Sequence, residues 1–404
     1  MEPARDLLAA AVDLQPDTVA LRRRLHRRPE VGLTLPETQA TVLEAIDGLP
    51  LRVTRGTAVS SVVGVLEGAR PGPTVLLRGD MDALPMPEDT GLDFASEVPG
   101  VMHACGHDTH VAMLVGAAKL LSARRDRLAG RVVFMWQPGE EGFGGAPIMI
   151  EEGVLEAAGQ PVGSAFALHI TTQLASGVVG VRRGSAMASS DTLRIVVTGR
   201  GGHASNPSAA LDPIPVACAI VQAIQTMVTR EVNVFDPAVV TIARIAAGTT
   251  DNVIPETAEM LGTMRTLSEE TRAAVKDRLH RLVPAIAAGY GATAELRVEE
   301  GYPVTVNADG AVNLVHSTTV GLVGPDRARL ERDPIMGAED WSYVLQRVPG
   351  AMTWLGACPP GSDPEVAPTN HSNRVIFDED AMAVGVATHA AVALAALGDP
   401  PTAA

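Results

Sequence analysis

The sequence predicts an α/β fold in which a mixed sheet, covered by helices, is interrupted by an inserted ferredoxin-like α+β domain. Three observations point there. Short apolar runs alternate with helical patterns through residues 1–183, a β-α-β-β-α-β rhythm fills 184–300, and helices with short strands return over 301–404. A chain of 404 residues is long for one domain, and the pattern reads as one discontinuous domain with a smaller one set into it.

In chain order, Ser61–Leu66, Thr74–Leu77, Val132–Trp136 and Ala165–Ile170 are short apolar runs, most of them ending in Gly, Pro, Asp or His, as buried strands do. Between them Val111–Arg125 and Gly144–Glu151 carry helical patterns, and such alternation builds a sheet covered on both faces. After Gly184 come a strand at Thr192–Thr198, a helix at Pro213–Thr229 and strands near Val239–Ile245 and Glu256–Thr266. A helix at Glu269–Ala287 and a strand at Thr293–Val298 complete the insert. Beyond it Ala351–Leu355 reads as a strand. Ala381–Leu397 is shorter than the roughly 20 residues that span a bilayer and contains Thr388 and His389, so it reads as a buried terminal helix. The last residues, Asp399–Ala404, read as a frayed tail.

Composition narrows the function classes. With 46% hydrophobic and 20% charged residues the chain is globular rather than disordered. Its net charge of -15 repels phosphate backbones and anionic membranes, and no basic cluster outside the Arg22 to Arg28 run could override that locally, so neither nucleic acid nor membrane is an expected partner. The first residues lack a basic leader followed by an apolar core, which makes the cytoplasm the expected location. Three scattered cysteines, Cys105, Cys218 and Cys358, exclude a disulfide framework, so a cysteine that matters acts as a thiolate.

The densest chemical signal is His103-Ala-Cys105-Gly-His107-Asp-Thr-His110. Cys105 and His107, two apart around a glycine, can face one side, and thiolate plus imidazole suits zinc or a related ion. A buried cysteine beside helix-capping residues is the structural alternative. Val132 to Trp136 ends at Gln-Pro-Gly-Glu140-Glu141, where one carboxylate can ligate a metal and the other reach its water; an acidic first helical turn is the alternative. Asp80 and Asp82 come just after another apolar strand and suit the support of a ligating imidazole. His169 ends a strand, and His371 lies in a polar loop. Strand ends are where open α/β sheets place ligands. Cys105, His107, Glu141, His169 and His371 together make a donor set large enough for two metals sharing a thiolate. In the insert, His203 comes after a glycine turn, while Asn252 and Arg265 flank a strand pair; oxyanion and carboxylate binding compete there with plain surface roles.

These residues resemble the N-acyl-amino-acid amidohydrolases of the co-catalytic metallopeptidase group, in the branch of hippurate hydrolase, auxin-conjugate hydrolases and aminoacylases. The likeness runs end to end through LHRRPEVG (Leu25 to Gly32), RGDMDALP (Arg78 to Pro85), MHACGHDTH (Met102 to His110) and QPGEEGFGGA (Gln137 to Ala146). It continues through GRGGHAS (Gly199 to Ser205), DNVIPE (Asp251 to Glu256), GAEDWSY (Gly337 to Tyr343) and NHSNRVIFDED (Asn370 to Asp380). The resemblance implies a catalytic domain in two parts, 1–183 and 301–404, with 184–300 as lid and dimerisation domain. It implies two divalent ions per subunit (zinc, manganese, cobalt or nickel) bridged by Cys105, one held also by Glu141 and His371 and the other by His107 and His169. Glu140 would then be the general base and Asp82 a supporting carboxylate, with Asp80 where distant relatives carry a histidine ligand.

From the insert, the resemblance implies that His203 and Asn252 reach the partner's active site in a homodimer, or a tetramer, and that Arg265 helps to hold the substrate carboxylate. The implied reaction is hydrolysis of N-acyl-L-amino acids by metal-activated water. A dipeptidase or carboxypeptidase activity is the nearest alternative; a thiol hydrolase built on Cys105 with His107, or a non-catalytic binder, stands further off.

Overall fold

The computed structural model describes residues 2–398, so the Asp399–Ala404 tail lies outside the described residues. The chain forms two compact units, one of Met1–Ala186, Val306–Asp333 and Asp340–Ala404, the other of Met187–Thr305 and Pro334–Glu339.

In the first unit an eight-stranded mixed sheet runs in the order Leu51–Arg55, Val62–Glu67, Ala129–Gln137, Arg70–Asp80, Ser164–Ala175, Gly350–Cys358, Val179–Val181, Ala328–Leu330. The four central strands are mutually parallel, and the outer ones add antiparallel pairs. Burial on both faces explains why these strands read as continuous apolar runs, with alternate residues pointing to opposite sides. Val75, Leu77, Phe134, Trp136, Phe166 and Leu168 face one core, shared with Val111 and Leu114 of helix His107–Ser122 and Val386 and Ala390 of helix Ala381–Ala396. Leu76, Val133, Met135, Ala165 and Ala167 face the other, with Met149 of helix Gly145–Glu151 and Trp341. Helix Ala381–Ala396 is the expected buried terminal helix, and no helix among the described residues is long and apolar enough to cross a membrane.

The structure also disposes of the basic run. Arg22 lies buried with Nε 2.7 Å from Asp108 and Nη1 2.9 Å from Glu379, which Arg23 also binds at 2.6 Å. Arg24 pairs with Glu44 and Arg28 with Glu97. The cluster is a set of ion pairs, not a docking patch.

The second unit is a four-stranded antiparallel sheet ordered Ala238–Ala247, Thr257–Thr266, Asp191–Thr198, Thr293–Glu300, with helices Pro213–Glu231 and Glu269–Gly289 packed on it. That is the ferredoxin-like arrangement the β-α-β-β-α-β rhythm predicts. Leu193, Ile195 and Val197, alternate residues of one strand, are buried against Ile220, Ile224, Val275 and Leu279. Asp212 and Ser268 cap the two helices by accepting the main-chain N–H of Ile214 and Thr271. Arg272 grips Asp191 through two bonds of 2.8 and 2.7 Å, joining helix to sheet.

Candidate metal centre

The chemistry-bearing residues gather at the carboxyl ends of the central parallel strands, where adjoining loops leave a crevice. Strand Arg70–Asp80 delivers Asp80 and, just beyond it, Asp82; strand Ala129–Gln137 leads to Glu140 and Glu141; His169 lies within Ser164–Ala175. The loop after Gly350–Cys358 brings Asn370 and His371. Leu84 and Met102 exchange two main-chain bonds of 3.0 Å, which pins the segment before Cys105 beside the one after Asp80.

Cys105 sits in a tight turn completed by Gly106, whose φ of 88° admits only glycine comfortably. A Cβ on Gly106 would also lie 2.4 Å from Ile170 Cγ2. The next helix begins at His107, four residues before the apolar pattern suggested, so His107 and His110 stand one turn apart on it. The structure gives His103, His107 and His110 different surroundings. His107 donates from Nδ1 to the carbonyl of Asp82 at 2.8 Å, leaving Nε2 facing Asp80 Oδ2 at 3.4 Å and Glu140 Oε2 at 3.9 Å. His110 has both nitrogens engaged, Nδ1 with Asp80 and Nε2 accepting the Ile170 N–H at 2.8 Å, so it supports rather than ligates. His103 turns instead toward His26, their ring centroids 6.2 Å apart.

The five expected ligands converge. Cys105 Sγ lies 3.4 Å from His169 Nε2 and 3.3 Å from His371 Nε2, and His371 Nε2 lies 3.2 Å from Glu141 Oε1. Around a tetrahedral ion with ordinary zinc bond lengths, N···O and S···N edges come to about 3.3–3.6 Å. The donors therefore stand at separations that a shared ion would impose. Of five groups among the described residues whose ligand atoms lie within 4.8 Å of one another, two share Cys105, one with His107 and His169 and the other with Glu141 and His371. His107 Nε2 is buried with no well-aligned hydrogen bond, its nearest acidic atom being Asp80 Oδ2 at 3.4 Å, a fit for an atom built to take an ion.

Electrostatics agrees. Burial pushes the Cys105 thiol well up, and Glu141, Glu140 and Asp80 push it further. Burial lowers His107, yet Asp80, Asp82 and Glu141 outweigh it and bring the ring up to about 10. So much buried negative charge calls for cations, and a metal held at the thiolate and imidazole would take the place of those protons. His169 is held well below the ordinary range by burial and by His110, which keeps it neutral for ligation.

Glu140 is buried, with its main-chain N–H on Asp82 Oδ1 at 2.9 Å, while Glu141 N–H binds Asp82 Oδ2 at 3.0 Å. Asp82 thus sets both glutamates with its carboxylate and His107 with its carbonyl. Behind them Asp340 accepts from Gln137 at 2.8 Å, from Arg78 at 3.3 Å and from the Ala146 N–H at 2.9 Å, joining two strand ends to a helix start. Sequence reasoning assigned no role to Asp340, Gln137 or Arg78, although each lies in one of the motifs that carry the family resemblance.

In the second unit His203 pairs with Val253 across two short strands, and Ala204 N–H binds the Asn252 carbonyl at 3.0 Å, so His203 and Asn252 stand together on an exposed edge. Arg265 lies apart on strand Thr257–Thr266, paired with Val239 and half-buried.

Comparisons with known proteins fit this geometry. The family model described as peptidase family M20/M25/M40 matches residues 76–395. The chain is 40% identical over 380 residues to thermostable carboxypeptidase 1 of Saccharolobus solfataricus, covering 93% of this chain and 94% of that protein. It is 39% identical over 339 residues to N-acetylcysteine deacetylase of Bacillus subtilis, covering 84% and 87%. With IAA-amino acid hydrolase ILR1-like 4 of Arabidopsis thaliana it shares 37% identity over 379 residues, covering 93% and 84%. The solved structure of the Bacillus subtilis YXEP protein, described as a dinuclear metal binding peptidase, superposes with a TM-score of 0.83 at 33% identity, covering 96% of this chain and 99% of that one. The chain belongs to peptidase family M20/M25/M40, and is a hydrolase acting on amide bonds.

Proposed function

We propose that this hydrolase cleaves the amide bond of N-acyl-L-amino acids, releasing a carboxylate and a free amino acid, at a centre of two divalent ions. The observation that carries the reading is the sharing of one sulfur, Cys105 Sγ, between two donor triads beside a buried Glu140. Cys105, Glu141 and His371 would hold one ion, and Cys105, His107 and His169 the other; a thiolate with imidazoles suits zinc, and manganese, cobalt or nickel are accommodated by the same donors. When bound, such a pair supplies Lewis acidity and brings the pKa of water toward neutrality. Glu140 then takes the proton of the attacking water and returns it to the leaving amine nitrogen. Asp82 fixes the direction of Glu140, and His107 stays aimed through its bond to the Asp82 carbonyl.

His203 serves the oxyanion, Asn252 stands beside it, and Arg265 receives the substrate carboxylate through its planar fork. In this proposal the second unit is a lid and a dimerisation domain, with His203 acting in the partner's site of a homodimer. A thiol hydrolase is disfavoured, because a reactive cysteine needs a lowered pKa and the Cys105 thiol is pushed the other way.

The carboxypeptidase relative keeps a second reading in view, that of a peptidase with the same centre. N-acyl amino acids are favoured because two of the similar proteins carry names of that chemistry. A hydrolysis panel decides: N-acyl amino acids varied at both ends, against blocked dipeptides, on chelated and metal-reconstituted protein. Hydrolysis is expected only after reconstitution, with kcat/KM on the best acyl amino acid at least about 10-fold above any peptide. A preference for peptides would make the chain a carboxypeptidase, and full activity after chelation would remove the metal from the mechanism.

A further inference from the structure

Beside His203 the second unit carries a cavity of about 450 Å³, walled in the main by Ala246, Ala247, Val253, Pro255, Thr257 and Glu259. Its place follows from the register of the sheet. Ala246 pairs with Glu259 near the strand ends. Thr257 and Glu259 alternate with Ala258 and Met260, which are buried in the core under the two helices. Ala246, Thr257 and Glu259 therefore stand on the face that the helices leave open. Gly248, at a φ of 69°, turns the chain beyond that strand, and Val253 and Pro255 complete the wall.

Val253 is also the cross-strand partner of His203. Residues directly opposite each other in an antiparallel pair point to one side, with Cβ atoms about 4.5–5.5 Å apart. The imidazole of His203 thus stands next to a side chain of the cavity wall.

We infer that this cavity receives the acyl group of the substrate, and that the group is uncharged and larger than acetyl. The inference rests on the reading of His203 as the oxyanion donor and names the substrate class of that same site. In the tetrahedral intermediate the acyl chain is bonded to the very carbon that bears the oxyanion, so an oxyanion held at His203 delivers the chain into the space beside the ring. Size and charge then decide what fits. The volume falls in the range of small-molecule sites, about 300–1,000 Å³. The methyl of an acetyl group, comparable with the roughly 30 Å³ of a water molecule, leaves most of it unfilled. Glu259 is the one charged residue of the wall, without an ion-pair partner among the described residues, and its carboxylate repels an acid group on the acyl chain.

The test is steady-state kinetics of the metal-reconstituted protein on the acetyl, benzoyl and succinyl derivatives of the amino acid best cleaved in the hydrolysis panel. The wild type is expected to favour benzoyl over acetyl by at least about 10-fold in kcat/KM, with succinyl the poorest. Ala246→Phe fills the cavity from the open face of the sheet and should lower the benzoyl-to-acetyl ratio by about 10–100-fold. Glu259→Gln, isosteric and neutral at an exposed position, should raise the succinyl-to-acetyl ratio by about 10-fold. A merely structural role would lower all three rates together and leave the ratios alone.

A benzoyl ratio unmoved in a folded Ala246→Phe, a succinyl ratio unmoved in Glu259→Gln, or a wild type that prefers acetyl or succinyl overturns the inference and leaves hydrolysis of N-acyl amino acids intact. Should Ala246→Phe not fold, the Glu259→Gln ratio decides alone. A wild type that cleaves no acyl derivative overturns both.

Discussion

Glu140→Gln is expected to lower kcat by about 100–10,000-fold while the protein keeps its full complement of metal. The substitution preserves the shape of a buried side chain and removes only the capacity to take a proton. Glu140 does not share the Cys105 sulfur in either triad assigned to the ions, and its Oε2 stands 3.9 Å from His107 Nε2, beside the centre. Its main chain is fixed independently, by Asp82 Oδ1, so the amide variant should sit where the carboxylate does. Steady-state kinetics together with metal analysis of the same sample checks this. Wild-type turnover would mean that another group is the base, and a parallel loss of metal would make Glu140 a ligand.

His203→Ala is expected to reduce kcat by about 100–1000-fold, the usual loss for one oxyanion donor, with KM little changed. The tautomer supports the assignment. His203 Nδ1 accepts the main-chain N–H of Ser205 at 3.1 Å, so in the neutral ring the proton is on Nε2, where a developing oxyanion needs a donor. His203 is exposed on a two-residue strand held by its pairing with Val253–Ile254, so nothing in the second unit's own core depends on its ring. Folding should be unaffected. An unchanged kcat would remove the role, and a loss confined to KM would make His203 a contact for the ground-state substrate only.

Much of the fold was legible in the sequence because the parallel strands announce themselves twice, by apolar runs and by the acidic or imidazole side chains at their ends. Asp80 and Asp82, and Glu140 and Glu141, stand at or beyond such runs, whereas His169, expected to end its strand, lies inside Ser164–Ala175, which continues six residues past it. The outer strands left no comparable mark. Leu51–Arg55 carries two arginines and Val179–Val181 is three residues long, so neither makes an apolar run. Spacing around Gly106 singles out His107 as the partner of Cys105 but says nothing of what His103 and His110 touch. Their surroundings depend on where the helix starts and on Gly106, which Ile170 of a distant strand approaches too closely for any side chain.

Partnership across long separations was equally hidden. Arg22 meets Asp108 and Glu379, 86 and 357 residues away, so a run that looked like a basic patch is an internal brace. That brace bears on the site, because Asp108 is the immediate neighbour of His107 and also accepts from His26 at 2.8 Å. Burial alone would raise the Asp108 carboxyl, but Arg22 and His26 hold it far below the usual carboxylate range.

The most direct measurement is an anomalous difference map, collected at the absorption edge of the reconstituted metal on crystals of the reconstituted protein. Two peaks flanking Cys105 Sγ are expected, one against Glu141 and His371 and the other against His107 and His169. No peak in the crevice, or a lone peak with Cys105 turned away from it, would contradict the account.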